Sequence, residues 1–233
     1  YLDRIYTGSV SSFCELSKKR LLEGEKSFII TANPEILMRA DQDPEIAKML
    51  LSDENLVVPD GVSVVKAMQN FGIAVQERIG GIDICEYLLK TAGEQGLSVY
   101  LLGAKEEVVS ALAGKLRAQY PEMQVRYSNG YDGDKDAIFG EIQELSPDLI
   151  VVALGVPAQE LLISRHYRDF TRGVFIGVGG SCDVLSGMKK RSPAFFIKTN
   201  TEWLHRILRE PSRLKRFWNS NVKFIRYMKK SKK

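Results

Sequence analysis

The sequence predicts an α/β protein with a doubly wound, Rossmann-like and mostly parallel sheet that carries helices on both faces. One reason is a set of four apolar runs, each ending in a turn that contains Gly or Pro, at residues 28–35, 56–61, 149–160 and 174–183. Runs of Val, Ile and Leu without polar alternation are typical of strands buried on both faces. The other reason is the alternation of strand and helix patterns after residue 82, which favours right-handed crossovers into one parallel sheet.

The individual elements follow from this pattern. Strands are predicted at residues 26–31, 56–59, 98–102, 123–127, 149–154 and 174–177. Helices are predicted at residues 10–23, 34–50, 61–71, 82–94, 106–120, 135–145 and 158–169. Pro34 fits the first turn of the second helix, where its missing N–H is not needed. We expect residues 1–202 to form the α/β domain and residues 203–233 to form a C-terminal helical appendage.

The composition is that of an ordinary globular protein. Of the 233 residues, 44% are hydrophobic and 27% charged, and no stretch reaches the roughly 20 apolar residues that span a bilayer. The three cysteines are far apart, which argues against a disulfide framework or a structural zinc site and suits a reducing cytoplasm. The first residues lack the pattern of a secretory signal. His166 and His205 lie in helical patterns, and we interpret them as surface or core residues.

The charge is concentrated at the C-terminus. Residues 204–233 hold eleven Lys or Arg against one acid, Glu210, so the charge of this segment is +10. The net charge of the chain is +4, so the charge of residues 1–203 is −6. Large apolar residues recur in it at spacings of three and four, which is typical of basic amphipathic helices. Such helices lie on anionic membranes, pack on the core or bind nucleic acid. The interleaved Trp and Phe residues favour the membrane, because phosphate contacts need no apolar face.

Polar residues stand at the ends of the predicted strands, where open α/β proteins bind ligands. They are Thr31, Asn33, Glu35, Asp60, Gln159, Glu160 and Asp183. Asp60 lies between Pro59 and Gly61 after a short strand, and either caps the next helix or acts as a base. Together with Thr31 and Asn33 at the end of the neighbouring strand, it forms a constellation suited to deprotonating a sugar hydroxyl.

Two glycine-bearing turns are candidates for phosphate binding. Gly103 follows a strand and precedes a helix, so the free N–H groups of that turn suit a phosphate. In the second turn, Gly177, Gly179 and Gly180 allow close backbone approach and Asp183 offers hydrogen bonds, although a simple capped helix start explains the same pattern. Neither turn has the G-x-G-x-x-G dinucleotide fingerprint, and no P-loop motif occurs.

No carboxylate–histidine cluster has the spacing of a divalent-metal site, so we predict that no metal takes part. The negative charge of a diphosphate would then be met by backbone N–H groups and basic side chains, and an arginine binds two phosphate oxygens at once. The candidate cations are Arg78, Lys190, Arg191, Arg206, Arg213 and Arg216. Those in the appendage reach the site only when the appendage folds onto the core.

Eight motifs occur in a fixed order along residues 29–216: TANPE, VVPDG, ERIGGIDI, YLLGA, VALGVPAQE, GVGGSCDVLSG, KKRSP and EWLHRILREPSRLKR. In this order they resemble the WecG/TagA/CpsF glycosyltransferases, glycosyltransferase family 26. The resemblance implies an inverting, metal-independent transfer from a UDP-sugar, without a cofactor, to a polyprenyl-diphosphate-linked amino sugar. It places the enzyme on the cytoplasmic face of the cell membrane, in teichoic-acid or surface-polysaccharide assembly. For TagA-like members, it implies N-acetylmannosamine as the sugar transferred.

The resemblance also assigns roles to residues. The family's catalytic base matches Asp60, and its conserved threonine and asparagine match Thr31 and Asn33. Its nucleotide and pocket positions match Gln159, Asp183 and the glycines of GVGG. Its C-terminal extension, which associates with the membrane and closes over the active site, matches the basic appendage. The sequence departs from the family at Cys182, where an aromatic residue is expected, and the smaller side chain puts the packing beneath Asp183 in doubt.

Other functions stay open. A glucosyl or uronic-acid donor fits the same fold and acceptor class. A non-enzymatic nucleotide-binding regulator with a nucleic-acid-binding tail is a more distant alternative, and a sugar-nucleotide epimerase is disfavoured by the missing dinucleotide fingerprint. The expected partners are a UDP-sugar, the lipid-linked acceptor and an anionic membrane surface, without nucleic acid. Homo-oligomerisation is left open.

Overall fold

The computed structural model describes residues 1–231, except the side chains of Arg213, Arg216 and Ser231. It contains a six-stranded, fully parallel sheet in the order β2-β1-β6-β5-β3-β4. The strands are β1 (Ser27–Ala32), β2 (Asn55–Pro59), β3 (Ser98–Gly103), β4 (Gln124–Ser128), β5 (Leu149–Ala153) and β6 (Val174–Gly177). The predicted α/β fold class and all six predicted strands are confirmed.

The helices surround this sheet. They are α1 (Val10–Leu22), α2 (Pro34–Ala40), α3 (Pro44–Leu51), α4 (Val62–Asn70), α5 (Gly81–Glu94), α6 (Glu106–Gln119), α7 (Lys135–Leu145), α8 (Ala158–His166), α9 (Cys182–Leu185), α10 (Ala194–Lys198), α11 (Glu202–Arg209), α12 (Arg213–Phe217) and α13 (Lys223–Ser231). Two hydrophobic cores form, one on each face of the sheet. Alternation along β1 divides its side chains between them, because Phe28 and Ile30 join one core and Ile29 the other.

The single helix predicted for residues 34–50 is wrong, because the structure has two helices there. The break lies between Ala40 and Pro44, and Pro44 begins α3 with Asp43 as its N-cap. The Asp43 carboxylate accepts the Glu45 N–H at 3.0 Å. A proline inside a helix lacks the N–H for the ladder and clashes with the preceding turn, so Pro44 fits only at a helix start. The continuous apolar pattern predicts one helix, whereas Asp43 followed by Pro44 is the sequence signal for a second helix start.

Strand register brings the polar strand ends to one edge of the sheet. Ala32 of β1 is paired with Pro59 of β2, and the Asp60 N–H donates to the Ala32 carbonyl at 2.9 Å. On the other side of β1, β6 pairs with both β1 and β5. The turns after β1, β2, β5 and β6 therefore lie together at the carboxyl edge, where parallel sheets bind ligands.

The C-terminal segment packs on the core and also presents apolar side chains to solvent. Phe224 is 2% exposed and joins the hydrophobic core beside α2 and α4, with Met228 packed against the same cluster. In contrast, Leu208 is 66% exposed and Trp218 is 54% exposed. None of the helices described within residues 1–231 is long and apolar enough to cross a membrane. The division into two parts at residue 203 stays a prediction.

Candidate active site

A cavity of about 740 Å³ opens at the carboxyl edge of β1, β2, β5 and β6, and α11 closes one side of it. Most of the predicted site residues line this cavity, namely Thr31, Asn33, Glu35, Asp60, Gln159, Gly179, Gly180, Lys190, Arg191 and Arg206. Arg78, Gly103, Glu160 and Asp183 do not line it. The side chains of Arg213 and Arg216 lie outside the described part of the chain.

Asp60 is held at the cavity wall by backbone and charge contacts. Its side chain is 29% exposed, and one carboxylate oxygen lies 3.3 Å from Arg78 Nη1. Burial raises the pKa of Asp60 above its ordinary value, and Glu202 adds to this; Arg78, the Gly81 N–H and Arg206 act in the opposite direction. A carboxylate with a raised pKa is a stronger base than an ordinary aspartate, and it is ionised only above that raised value.

Asp60 does not cap the helix that follows it. The N-cap of α4 is Gly61, which has φ +133°, and no side chain makes a capping hydrogen bond there. This φ lies in a region that favours glycine, so Gly61 lets the chain turn sharply after β2. The Asp60 carboxylate is consequently free of a capping role and remains at the cavity wall.

Asn33 is the residue that caps a helix. Its side-chain oxygen accepts the backbone N–H groups of Glu35 at 3.0 Å and Ile36 at 3.1 Å, at the start of α2. Because that oxygen is occupied, the amide NH2 is the part of Asn33 left to bind a ligand. Thr31 is nearly buried, and a Cβ on Gly81 would lie 2.8 Å from its methyl carbon, so glycine permits the close approach of α5 to β1.

Gln159 joins two turns on the other side of the site. Its side-chain oxygen accepts the backbone N–H groups of Gly155 and Gly179, each at 3.0 Å, and its NH2 donates to Glu160 at 2.7 Å. A Cβ on Gly177 would lie 2.5 Å from the Gln159 amide nitrogen, so the strand end needs glycine. Gln159 therefore fixes the glycine turn after β6 relative to the turn after β5.

Gly103 and Asp183 have contacts outside the cavity lining. Gly103 has φ +117°, and a Cβ there would overlap the backbone of Ala153 at 2.5 Å, so this glycine allows close packing of β3 on β5. Asp183 is on α9 and lies 3.8 Å from Lys189 Nζ. Their predicted roles in nucleotide binding stay predictions. Cys182 beside Asp183 is buried, and burial raises the pKa of its thiol to about 12.

The basic residues differ in how far they are already paired. Arg191 lies 2.5 Å from Asp83 and 3.8 Å from Glu86, so its charge is largely matched by the start of α5. Lys190 and Arg209 line the cavity and make no ion pair within the described residues. The sequence reading did not single out Arg209 as a site residue.

An ion-pair chain runs from the base into α11. Arg78 lies 3.3 Å from Asp60 and 3.9 Å from Glu202, and Glu202 in turn pairs with Arg206 at 2.8 Å. The sequence reading missed Glu202. Its signal was an acid placed four residues before an arginine, in an otherwise basic segment.

Aromatic side chains from the C-terminal segment complete the wall. Trp203 and Phe217 stack with ring centroids 4.6 Å apart and planes 9° apart, and both line the cavity. His205 also lines it, with Nδ1 2.8 Å from the Ser192 hydroxyl oxygen. The sequence reading had placed His205 on the surface or in the core and had not singled out Trp203. Within the described residues, no three His, Cys, Asp or Glu side chains are grouped as a metal site would require.

The sequence profile described as the glycosyl transferase WecG/TagA/CpsF family matches residues 4–233. The chain belongs to this family. It is 35% identical over 216 residues to the N-acetylglucosaminyldiphosphoundecaprenol N-acetyl-beta-D-mannosaminyltransferase of Bacillus spizizenii (strain ATCC 23059 / NRRL B-14472 / W23), covering 92% of this chain and 84% of the relative. It is 38% identical over 190 residues to the enzyme of the same name from Staphylococcus aureus (strain MW2), covering 81% and 74%.

The family assignment confirms the predicted resemblance and the enzyme class, a glycosyltransferase. It favours an enzyme over the non-enzymatic regulator that the residues alone had left open. The polar strand ends at the cavity are therefore candidates for binding a sugar donor and an acceptor.

Proposed function

We propose that this chain transfers N-acetylmannosamine from UDP-N-acetylmannosamine to the N-acetylglucosamine of a diphosphoundecaprenol-linked acceptor, with inversion and without a metal. The observation that carries the proposal is the convergence of Asp60, Thr31 and Asn33 with the Gly179–Ser181 turn in one cavity. The names of the relatives supply the sugar and the acceptor. The alternative donors, a glucosyl or uronic-acid nucleotide, become outcomes of the test below.

Asp60 is the proposed general base. It takes the proton from an acceptor hydroxyl while that oxygen bonds to the anomeric carbon and the bond to UDP breaks. A single displacement of this kind converts an α-linked donor into a β-linked product, and the relatives' printed names give a β-mannosaminyl group. The Asn33 NH2 is suited to donate a hydrogen bond to an acceptor oxygen, because the side-chain oxygen of Asn33 is held by α2.

The leaving diphosphate needs positive charge and N–H donors. In the short 3-10 turn Gly179–Ser181 at the cavity, the Gly179 N–H is bonded to Gln159 and the Ser181 N–H to the Val178 carbonyl. The Gly180 N–H is the donor of this turn that remains for a ligand. Lys190 and Arg209 add charge that no described acid neutralises, and Arg206 extends from α11 toward the same space. Preorganised donors and cations of this kind stabilise charge that develops on a leaving group.

The C-terminal segment is the proposed contact with the membrane that carries the acceptor. Leu208, Leu214, Trp218 and Ile225 expose their apolar side chains among lysines and arginines. Arg226 lies over the Trp218 ring at 5.7 Å. A basic surface with exposed aliphatic and Trp side chains suits the headgroup region of an anionic bilayer.

A donor screen tests this function. The purified chain is incubated with UDP-N-acetylmannosamine, UDP-N-acetylglucosamine, UDP-glucose or UDP-glucuronic acid and a short-chain prenyl-diphosphate N-acetylglucosamine, with and without excess EDTA. We expect a product of one added N-acetylhexosamine by mass only with the first donor, a β linkage by NMR, and an unchanged rate in EDTA. Turnover with another donor alone would replace the proposed sugar. Activity lost in EDTA and restored by Mg²⁺ or Mn²⁺ would reject the metal-independent mechanism.

A further inference from the structure

Glu202 is an unusual residue for its position in the chain. It begins α11, at the entrance to the most basic segment of the protein, yet it is only 6% exposed. A buried carboxylate is costly unless it is paired, and breaking such a pair leaves an uncompensated charge. Glu202 also lines the proposed substrate cavity. The charge of the buried Glu202 carboxylate must therefore be balanced by neighbouring side chains, because little solvent reaches it.

The two partners of Glu202 come from different parts of the molecule. One carboxylate oxygen accepts from Arg206 at 2.8 Å, one turn along α11, and the other lies 3.9 Å from Arg78 Nη2. The other terminal nitrogen of Arg78 donates to Asp60 at 3.3 Å. The Arg78 guanidinium thus divides its charge between Asp60 and Glu202. Its Nε is buried and makes no hydrogen bond, so the two acids hold this guanidinium by its terminal nitrogens.

We propose that Glu202 is a positioning residue that joins α11 to the catalytic base, by sharing Arg78 with Asp60 and by holding Arg206 at the cavity. The proposal rests on the proposed role of Asp60. It means that docking of the C-terminal segment alters the charge around the base, because Glu202 and Arg206 arrive together on α11. A base prepared only when α11 is docked would not act before the rest of the cavity wall is in place.

The charged and polar groups that face Asp60 determine whether a substitution favours its ionised or its protonated form. These are Arg78 from the loop before α5, the Gly81 N–H at the start of α5, and Glu202 and Arg206 from α11. Removing the Glu202 charge leaves Arg78 to Asp60 alone and favours the ionised form of Asp60. Removing the Arg206 charge draws Arg78 toward Glu202 and favours the protonated form. The acid limb of the pH–rate profile requires ionised Asp60. We expect it to move to lower pH in the first case and to higher pH in the second.

The experiment compares full-length Glu202→Gln and Arg206→Gln with the wild type. A matched control is Glu94→Gln, which removes the same charge from an exposed helical pair with Lys90. Two readouts are taken across pH: kcat/KM with UDP-N-acetylmannosamine and a soluble acceptor, and the carboxyl ¹³C signal of Asp60, assigned with Asp60→Asn. We expect shifts on the order of one pH unit, downward for Glu202→Gln and upward for Arg206→Gln. The Glu94→Gln profile should match the wild type.

Each possible result of this experiment supports or overturns the proposed role of Glu202. An Asp60 titration unchanged in Glu202→Gln, or shifted in the same direction in both variants, overturns the proposal. A fall in rate without movement of the acid limb shows a merely structural role and also overturns it. If Glu202→Gln does not fold, Glu202→Asp, which keeps the charge, and Arg206→Gln still report the direction. If the wild type does not use the donor, the proposed function fails, whereas the NMR titration still tests the coupling of Glu202 to Asp60.

Discussion

The two walls of the cavity are held by different kinds of interaction. On the sheet wall, backbone groups fix the polar side chains: Asn33 accepts two N–H groups of α2, and Gln159 accepts those of Gly155 and Gly179. On the C-terminal wall, side chains make the contacts, through the Glu202 ion pairs and the Trp203 ring stack. Backbone anchors cannot rearrange without disrupting a strand end or a helix start, whereas ion pairs and ring stacks separate when a helix lifts away.

The two walls also differ in how deeply their side chains are buried. The strands behind the sheet wall are almost wholly buried, while α11 to α13 expose most of their apolar side chains. Phe224 is the deepest apolar contact of the C-terminal segment. We therefore expect the sheet wall to be preformed and the C-terminal wall to depend on docking of α11 to α13.

Asp60→Asn tests the sheet wall. We expect the transfer rate to fall on the order of 10²–10⁴-fold, as for loss of a general base. UDP binding, measured by calorimetry, should be retained. The folded protein should not be less stable at neutral pH. Because the pKa of Asp60 is raised on folding, its contribution to stability is greatest at acidic pH and is lost as pH rises through the folded value. Asn has no charge to bury at any pH. Near-wild-type turnover by the folded variant would exclude Asp60 as the base.

Phe224→Ala tests the docking of the C-terminal wall. Truncating a buried Phe costs about 3–5 kcal/mol, and here the loss falls on the contact of α13 with α2 and α4. We expect faster hydrogen exchange in residues 202–230 and a rate on a soluble acceptor lowered by about tenfold or more, while the exchange of β1 and β6 stays unchanged. Ile225→Ala, on the exposed side of α13, is the matched control and should resemble the wild type on the soluble acceptor. Equal effects of the two variants would contradict the docking role of Phe224.

Leu208→Ser with Leu214→Ser separates membrane contact from catalysis. Both side chains are exposed and neither lines the cavity. We expect binding to vesicles of anionic lipid to weaken about tenfold, because apolar area is lost, while turnover of a soluble short-chain acceptor is unchanged. Leu51→Ser, at an exposed position at the end of α3, is the control and should bind vesicles normally. Unchanged vesicle binding by the double variant would show that this surface does not contact the membrane.

Much of the sheet wall could be predicted from sequence. Asp60, Thr31 and Asn33 each follow from a buried run ending in a polar residue, and neighbouring parallel strands end at the same edge. The capping roles were assigned less well. Asp60 had been given a possible N-cap role, but Gly61 occupies that position, and Asn33 is the residue that caps. A cap depends on the backbone angle at one residue, which the pattern of residue types does not specify.

The fold class, the strand positions and the residues at the strand ends could be predicted from the sequence, because these depend on periodicity and on neighbours a few residues away. The position of β6 between β1 and β5, which places the Gly179 turn in the same cavity as Asp60, is visible in the folded structure alone. The folded structure alone also shows Arg78 between Asp60 and Glu202. Those acids are distant in the chain, and their common partner follows from the docking of α11 on the core. A buried charge must be paired, and which distant charges meet there depends on packing that no local sequence pattern specifies.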